Sequence, residues 1–467
     1  MEHPVIIIGA GPIGLAAAAH LIEHHQQVQV LEAGSDVGAA MRSWGHIRLF
    51  STWKYNIDAA CRRLLETSSA GYAGNWSAPR ETRLPYGEEM VREYLEPLAQ
   101  HPSLAPRIAY NHRVKAVSRI TPAGAGVDKG RSAHREDSLF VVRCETPEGP
   151  RDLVARAVID ASGTWEQPNP VGRSGLEAIG EAEARAAGLI TSPLPDPLGA
   201  DLDRFASRRV LVLGAGHSAA NTLLSLGRLK QRHPDTEILW GLRGDANPIR
   251  LYGGGDADQL PARGQLGSSL RRFVENGSIK LLERLAVTEI RGTSNLTVSL
   301  ADGRELDVDL LVPATGFRPD LSMLAELRLD LDPSVEAPRE LGPLIDPEFH
   351  SCGTVAAHGE RVLAHPEPGF YIVGMKSYGR APTFLMATGY EQVRSIAAAL
   401  AGDRAAADRV DLQLPETGVC STDLAGSCDA PAPEAAADSC CVPQPVTLGL
   451  STGTLHGHAE LRGDDRA

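Results

Sequence analysis

Two glycine turns, each set between an apolar strand and a helix, constrain this chain more than any other feature. The first is Val5-Ile6-Ile7-Ile8-Gly9-Ala10-Gly11-Pro12-Ile13-Gly14, a G-x-G-x-x-G turn that runs into an alanine-rich helical stretch. The second is Arg209-Val210-Leu211-Val212-Leu213-Gly214-Ala215-Gly216-His217-Ser218-Ala219-Ala220, a G-x-G-x-x-A turn in the same context. The first glycine of such a motif permits a tight turn at positive φ, and the second keeps side chains out of a pyrophosphate's path. The third position, Gly14 or the small Ala219, lets helix and strand pack closely. A pyrophosphate then rests on the free N–H groups and positive end of the helix.

The residues that follow differ between the two motifs. After the first, the strand Val28-Gln29-Val30-Leu31 closes on Glu32, 23 residues past Gly9. After the second, the strand Thr236-Glu237-Ile238-Leu239-Trp240 closes on no acid and runs into Arg243. A carboxylate there holds a ribose 2′-OH, whereas an arginine accommodates a 2′-phosphate. The chain is therefore expected to hold FAD first and NADPH second. Its candidate cofactor residues are Gly9, Gly11, Gly14 and Glu32, then Gly214, Gly216, Ser218, Ala219 and Arg243. The expected class is α/β, with two Rossmann-like domains.

A length of 467 residues exceeds one ordinary core. The net charge of −13 argues against nucleic acid and anionic membrane as partners. No Lys or Arg precedes the apolar start, and the glycine turn interrupts it, so it does not read as a signal peptide. No apolar run reaches the length of a membrane span. A cytoplasmic protein without structural disulfides is expected, acting on a small molecule, with oligomeric state left open.

Residues 1–168 read as the first part of an FAD domain, with a strand from Arg151 to Asp160 ending at Ala161-Ser162-Gly163-Thr164 and a hairpin tip at 122–137. A Pro- and Ala-rich bridge at 169–205 completes a first segment of 1–206. An NADPH domain is expected over 207–305. A second small-residue turn, Ala314-Thr315-Gly316-Phe317-Arg318-Pro319-Asp320, follows the apolar strand Val308–Val312 and opens the return to the FAD domain over 306–403. Gly163 and Gly316 join the cofactor candidates, because each turn ends a strand where a dinucleotide passes. Residues 404–467 change to Ala, Pro, Asp and Ser and read as a loosely packed, cysteine-containing tail.

This order of pieces resembles the class B flavoprotein monooxygenases over roughly residues 1–400. In that family an NADPH domain is inserted into a split FAD domain, and A-T-G turns flank the insertion. The family's G-G-x-W segment corresponds to Val37-Gly38-Ala39-Ala40-Met41-Arg42-Ser43-Trp44, which keeps Trp44 and loses the double glycine. Its F-x-G-x-x-x-H segment corresponds to Gly188–Pro197, which has no histidine, so that histidine's role has no bearer here. The segments Ala314–Asp320 and Met375–Thr383, with the C-terminal cysteines, resemble the flavoproteins of bacterial arsenic-resistance gene clusters. The resemblance implies oxygen transfer from a flavin C4a-(hydro)peroxide, formed with NADPH and O2, to a soft nucleophile such as a trivalent organoarsenical.

The flavin would do the hard chemistry, so positioning and charge are expected from the protein instead of a catalytic triad. Gly374, Thr383 and a helix starting near Pro382 are candidates for the flavin ring site, with Arg380 and Lys376 adding charge. The alternative is a capped helix with basic residues on a solvated loop. Asn56 reads either as a donor to the flavin's oxygen adduct or as a turn residue. Val114 reads either as a strand residue pairing its backbone with adenine or as core. Tyr252-Gly253-Gly254-Gly255 reads either as a passage for NADPH or substrate or as a surface loop.

Cys61, Cys144 and Cys352 are isolated and read as buried small hydrophobes. No C-x-x-C or C-x-x-x-x-C lies beside either fingerprint, which argues against a redox disulfide there. Cys420, Cys428, Cys440 and Cys441 fall within 22 residues of the tail. Thiolates bind soft ions, so these are candidate soft-metalloid ligands; incidental cysteines are the alternative. Two rivals to the monooxygenase follow. One is an NADPH-driven reductase or thiol oxidase using the tail cysteines. The other is a non-catalytic, flavin-holding metalloid-binding or sensing protein.

Overall fold

The computed structural model describes residues 3–67, 75–130, 135–252, 261–347, 355–381 and 384–412, with only the backbone at 249–250 and 261–264. All lie in one compact unit, Met1–Thr422. Cys352, Pro382, Thr383, Gly253–Gly255 and the four tail cysteines lie outside the described residues, as does the second unit, Asp423–Ala467.

Val5–Ile8 is apolar at every position and buried at every position, as a strand covered on both faces must be. It is the centre of a five-stranded sheet in the order Phe370–Ile372, Ala157–Asp160, Val5–Ile8, Val28–Leu31, Ile108–Ala109. All of its pairings are parallel. A second parallel sheet has the order Lys280–Leu282, Glu237–Gly241, Arg209–Leu213, Leu310–Pro313. In each sheet the strand before the glycine turn lies between its successor and a strand from much later in the chain. The crevice beyond its carboxyl end is therefore a topological switch point, where open α/β sheets take ligands.

Two helices cover one face of the first sheet. Pro12–Glu23 packs on Met386–Leu400, and Gly389 makes room: a Cβ there would come within 2.6 Å of Ile13 Cδ1. An antiparallel sheet, Gly126–Val127, Arg113–Ile120, Leu139–Thr146 and Gly149–Ala155, joins this part of the molecule. A three-stranded antiparallel sheet, Val287–Arg291, Leu296–Leu300 and Glu305–Val308, joins the other.

The structure corrects four expectations and bears out the hairpin at 122–137. The strand expected from Arg151 to Asp160 breaks at Arg156, because Leu153–Ala155 pairs antiparallel with Phe140–Val142 while Ala157–Asp160 pairs parallel with Val5–Ile8. One apolar run serves two sheets. The domain boundary expected at 305 falls too early, since Leu310–Pro313 is an outer strand of the second sheet. The hairpin expected at 122–137 joins Arg113–Ile120 to Leu139–Thr146, and Arg135 there is buried and pairs with the buried Glu367 at 2.9 Å, beside Arg119 at 2.8 Å. The helix expected from Pro382 begins at Met386. Finally, the tail does not begin at 404. Arg404–Asp408 is helical, Asp408 pairs with Arg361 at 2.7 Å, and Ser395 donates to the Ala407 carbonyl at 2.6 Å.

The chain passes between the two parallel sheets twice, and the two passages run side by side. Pro168 and Phe317 form an antiparallel bridge, Asn169 N–H donates to Gly316 O at 2.9 Å, and Arg318 N–H donates to Gln167 O at 3.1 Å. No helix among the described residues is long and apolar enough to cross a membrane.

Candidate dinucleotide sites

The glycines of each fingerprint divide into two kinds. Gly9 has φ +99°, and a Cβ on it would lie 2.9 Å from the Ala161 carbonyl oxygen. A Cβ on Gly14 would lie 1.9 Å from Gly9 O. These two positions close the turn against its own neighbours. Gly11 differs, because a Cβ there would meet nothing within 4 Å, and the same holds at Gly163. In the second motif Gly214 has φ +133° and its Cβ would lie 1.9 Å from the Ala314 carbonyl oxygen, while Gly216 faces open space. Ala219 is fully buried in the packing position. The helices Pro12–Glu23 and His217–Arg232 both start without a side-chain cap and without an acid in the first turn. A helix start of this kind suits an anion, and Ser218 lies in the first turn of the second helix. The space that side chains leave vacant fits two pyrophosphates.

Glu32 is where a ribose-binding acid belongs. Its Oε2 accepts from Ala10 N at 2.7 Å and its Oε1 from Gly34 N at 2.7 Å. One lone pair on each oxygen is left for ribose hydroxyls. Arg243 is exposed just beyond Glu237–Gly241 and has no carboxylate partner among the described residues. Trp240 is buried and its indole donates to Gly214 O at 2.7 Å, fixing the glycine turn from the neighbouring strand. Gly316, at φ +84°, sits at the passage between sheets, where a Cβ would face Asn169 Nδ2 at 3.4 Å.

Trp44 is half-buried with its ring against Gly87. Val114 is buried and pairs with Cys144, next to a bulge at Val114/Ala116. Gly374 has φ +67° and donates its N–H to Gln392 Oε1 at 2.8 Å. Sequence reasoning missed the network behind that bond. Gln392 Nε2 also meets Ser377 Oγ at 3.0 Å and His358 Nε2 at 2.9 Å, while His358 Nδ1 meets Ala356 O at 3.1 Å. Burial holds the His358 imidazole below its ordinary pKa, which keeps it neutral as an acceptor for Gln392.

The three candidate catalytic residues are placed differently. Asn56 is fully buried, and its amide is turned onto Ser51: Nδ2 donates to Ser51 O at 2.8 Å and Oδ1 accepts from Ser51 Oγ at 2.8 Å. These are the bonds of a turn residue. Lys376 is not on a solvated loop. It is 1% exposed, with Nζ 2.7 Å from Asp160 Oδ2 and 3.1 Å from Ser162 Oγ. It ties the turn after Phe370–Ile372 to the turn after Ala157–Asp160. Arg380 is exposed and 3.7 Å from Glu336. Among the described residues no cluster of His, Cys, Asp and Glu could hold a metal ion.

Comparisons with known proteins agree with this geometry. Residues 6–233 match the pyridine nucleotide-disulphide oxidoreductase family. The large subunit of the NADH-dependent nitrite reductase of Escherichia coli (strain K12) is 30% identical over 175 residues, 35% of this chain and 18% of that protein. The chain thus spans under a fifth of that relative's length. A bacillithiol disulfide reductase from Bacillus cereus has a TM-score of 0.59 at 20% identity, over 86% of this chain and 99% of the other. A variant flavin monooxygenase from Stenotrophomonas maltophilia has a TM-score of 0.52 at 21% identity, over 86% and 99%. Both solved structures share the fold of this chain over 86% of its length.

Proposed function

We propose that the chain is an NADPH-dependent flavoprotein monooxygenase that passes one oxygen atom of O2 to a soft nucleophile. One observation weighs against disulfide reduction at the cysteines of the described residues. The two free thiols among the described residues are both buried. Burial and Asp58 push the Cys61 thiol well up, and Cys144 lies in the antiparallel sheet facing Arg151 O at 3.7 Å. Neither is poised to exchange with a disulfide, since the thiolate is the reactive form.

Bound FAD would supply the redox chemistry, taking hydride from the nicotinamide and activating O2. The chain's own part is to bind and orient. Gly11 and the Pro12–Glu23 helix seat one pyrophosphate, and Glu32 holds the ribose beside it. Gly216 and the His217–Arg232 helix seat the other, and Arg243 meets the 2′-phosphate. Gln392 fixes the Gly374 turn against the flavin, and Lys376 with Asp160 keeps that turn in register with Ser162. The soft nucleophile is, in its finer form, trivalent arsenic in an organoarsenical, gathered by Cys440 and Cys441 because thiolates bind soft ions.

Oxygen dependence tests the reading. NADPH oxidation by the holoenzyme should require O2 and accelerate with a soft nucleophile. Equally fast anaerobic NADPH oxidation with a disulfide acceptor would establish the reductase. Truncation after Leu412, past the packed helix, should raise the KM for a trivalent organoarsenical and leave flavin reduction unchanged. An unchanged KM would remove the arsenic assignment alone.

A further inference from the structure

The turn after Glu237–Gly241 carries an acid as well as Arg243. Asp245 stands two residues on, so its Cα is within about 7 Å of that of Arg243, and both residues are exposed in this one turn. A free carboxylate near the end of this strand repels a 2′-phosphate and favours the ribose hydroxyl of NADH. Here it is not free. Arg284, in the turn after Lys280–Leu282, places Nε 2.5 Å from Asp245 Oδ1. Arg284 has φ 57°, a conformation that a long side chain adopts only where its surroundings impose it. Several hydrogen bonds impose it. Arg284 N–H donates to Gly244 O at 3.2 Å, Leu285 N–H to Leu242 O at 2.8 Å, and Leu242 N–H to Leu282 O at 2.9 Å. Arg304 Nη2 holds the Arg284 carbonyl at 3.0 Å from the other side. Glu283, also in this turn, accepts from Ala246 N at 2.6 Å. Without Arg284, the Asp245 carboxylate would lose its ion-pair partner.

We propose that Arg284 is a specificity-determining residue. It neutralises Asp245 and braces the Leu242–Gly244 turn, so that this turn accepts the 2′-phosphate of NADPH. The inference rests on the reading of Arg243 as the 2′-phosphate partner. Both members of the pair are exposed, so its contribution to folding is small. Its effect is on the field that an incoming dianion meets, and charges of that kind set specificity more than stability. The Asp245 carboxyl is held below its ordinary range by Arg284.

The test compares kcat/KM for NADPH and NADH in the holoenzyme. Arg284→Asn is the informative variant, because asparagine tolerates the left-handed conformation. It should lower the NADPH/NADH ratio about fivefold or more at low salt, and less at high salt. Adding Asp245→Asn should restore the ratio to within about twofold of the parent. Asp245→Lys should independently raise it. An unchanged ratio in Arg284→Asn, or no restoration in the double variant, overturns the proposal. So does an unchanged ratio in Asp245→Lys. If Arg243→Ala lowers the ratio and Arg284→Asn does not, this inference falls and the 2′-phosphate reading stands. If Arg243→Ala leaves the ratio unchanged, both fall.

Discussion

The carbonyl oxygen of Ala314 lies 1.9 Å from where a Cβ on Gly214 would be, just as that of Ala161 lies 2.9 Å from a Cβ on Gly9. Each glycine turn is thus closed by a small-residue turn that ends the adjacent strand of its own sheet. The same arrangement occurs twice, and in both cases the middle glycine of the fingerprint faces open space.

That contrast separates the glycines that the fold itself requires from those it does not. Gly11 has an extended backbone that any residue adopts, and nothing within 4 Å of its Cβ. Gly11→Val should fold with a nearly unchanged Tm and purify colourless, without FAD. Gly14→Val would drive its side chain into Gly9 O and should lose about 3 kcal/mol or more of stability. A yellow Gly11→Val protein would contradict the assignment.

Arg243 is expected to read the 2′-phosphate. Losing one charge-assisted contact should raise the NADPH KM about tenfold in Arg243→Ala and leave the NADH KM nearly unchanged. Steady-state kinetics with both dinucleotides decide it.

Lys376 is paired with Asp160 in the core. Lys376→Met leaves a buried carboxylate without its partner and should destabilise by about 3–5 kcal/mol. Adding Asp160→Asn should recover much of that. A Lys376→Met protein of normal stability with impaired flavin reduction would instead give Lys376 a direct part in the chemistry.

Acid should weaken the fold through buried histidine. Burial lowers His365 from 6.5 to about 4, and its Nε2 has no hydrogen-bond partner among the described residues. Between those values the unfolded chain binds the proton and the folded chain does not, so stability falls as pH drops from 6.5 towards 4. The full effect is on the order of 3 kcal/mol. Denaturant titrations across this range should show a shallower pH slope in His365→Phe.

What the sequence disclosed was local. Strand, glycine turn and helix are contiguous at Val5–Gly14 and Arg209–Ala219, and small-residue turns are visible wherever Ala, Ser or Thr precedes Gly. What it hid depends on distant partners. The break at Arg156 reflects two different strands claiming one apolar run. Lys376 looks like a solvated charge until Asp160, 216 positions earlier, is brought to it. Arg119 and Glu367 are separated by 248 positions, and no periodicity announces such a pair. The Gln392–His358–Gly374 network joins a helix face to two loops and leaves no pattern in any one segment.

Oxygen transfer to the substrate can be followed with isotopically labelled O2. With NADPH, labelled O2 and a trivalent organoarsenical or a thioether, one labelled oxygen atom should appear in the product for each NADPH oxidised in the coupled reaction. Unlabelled product, or NADPH oxidation that proceeds without O2 while a disulfide is reduced, would contradict it.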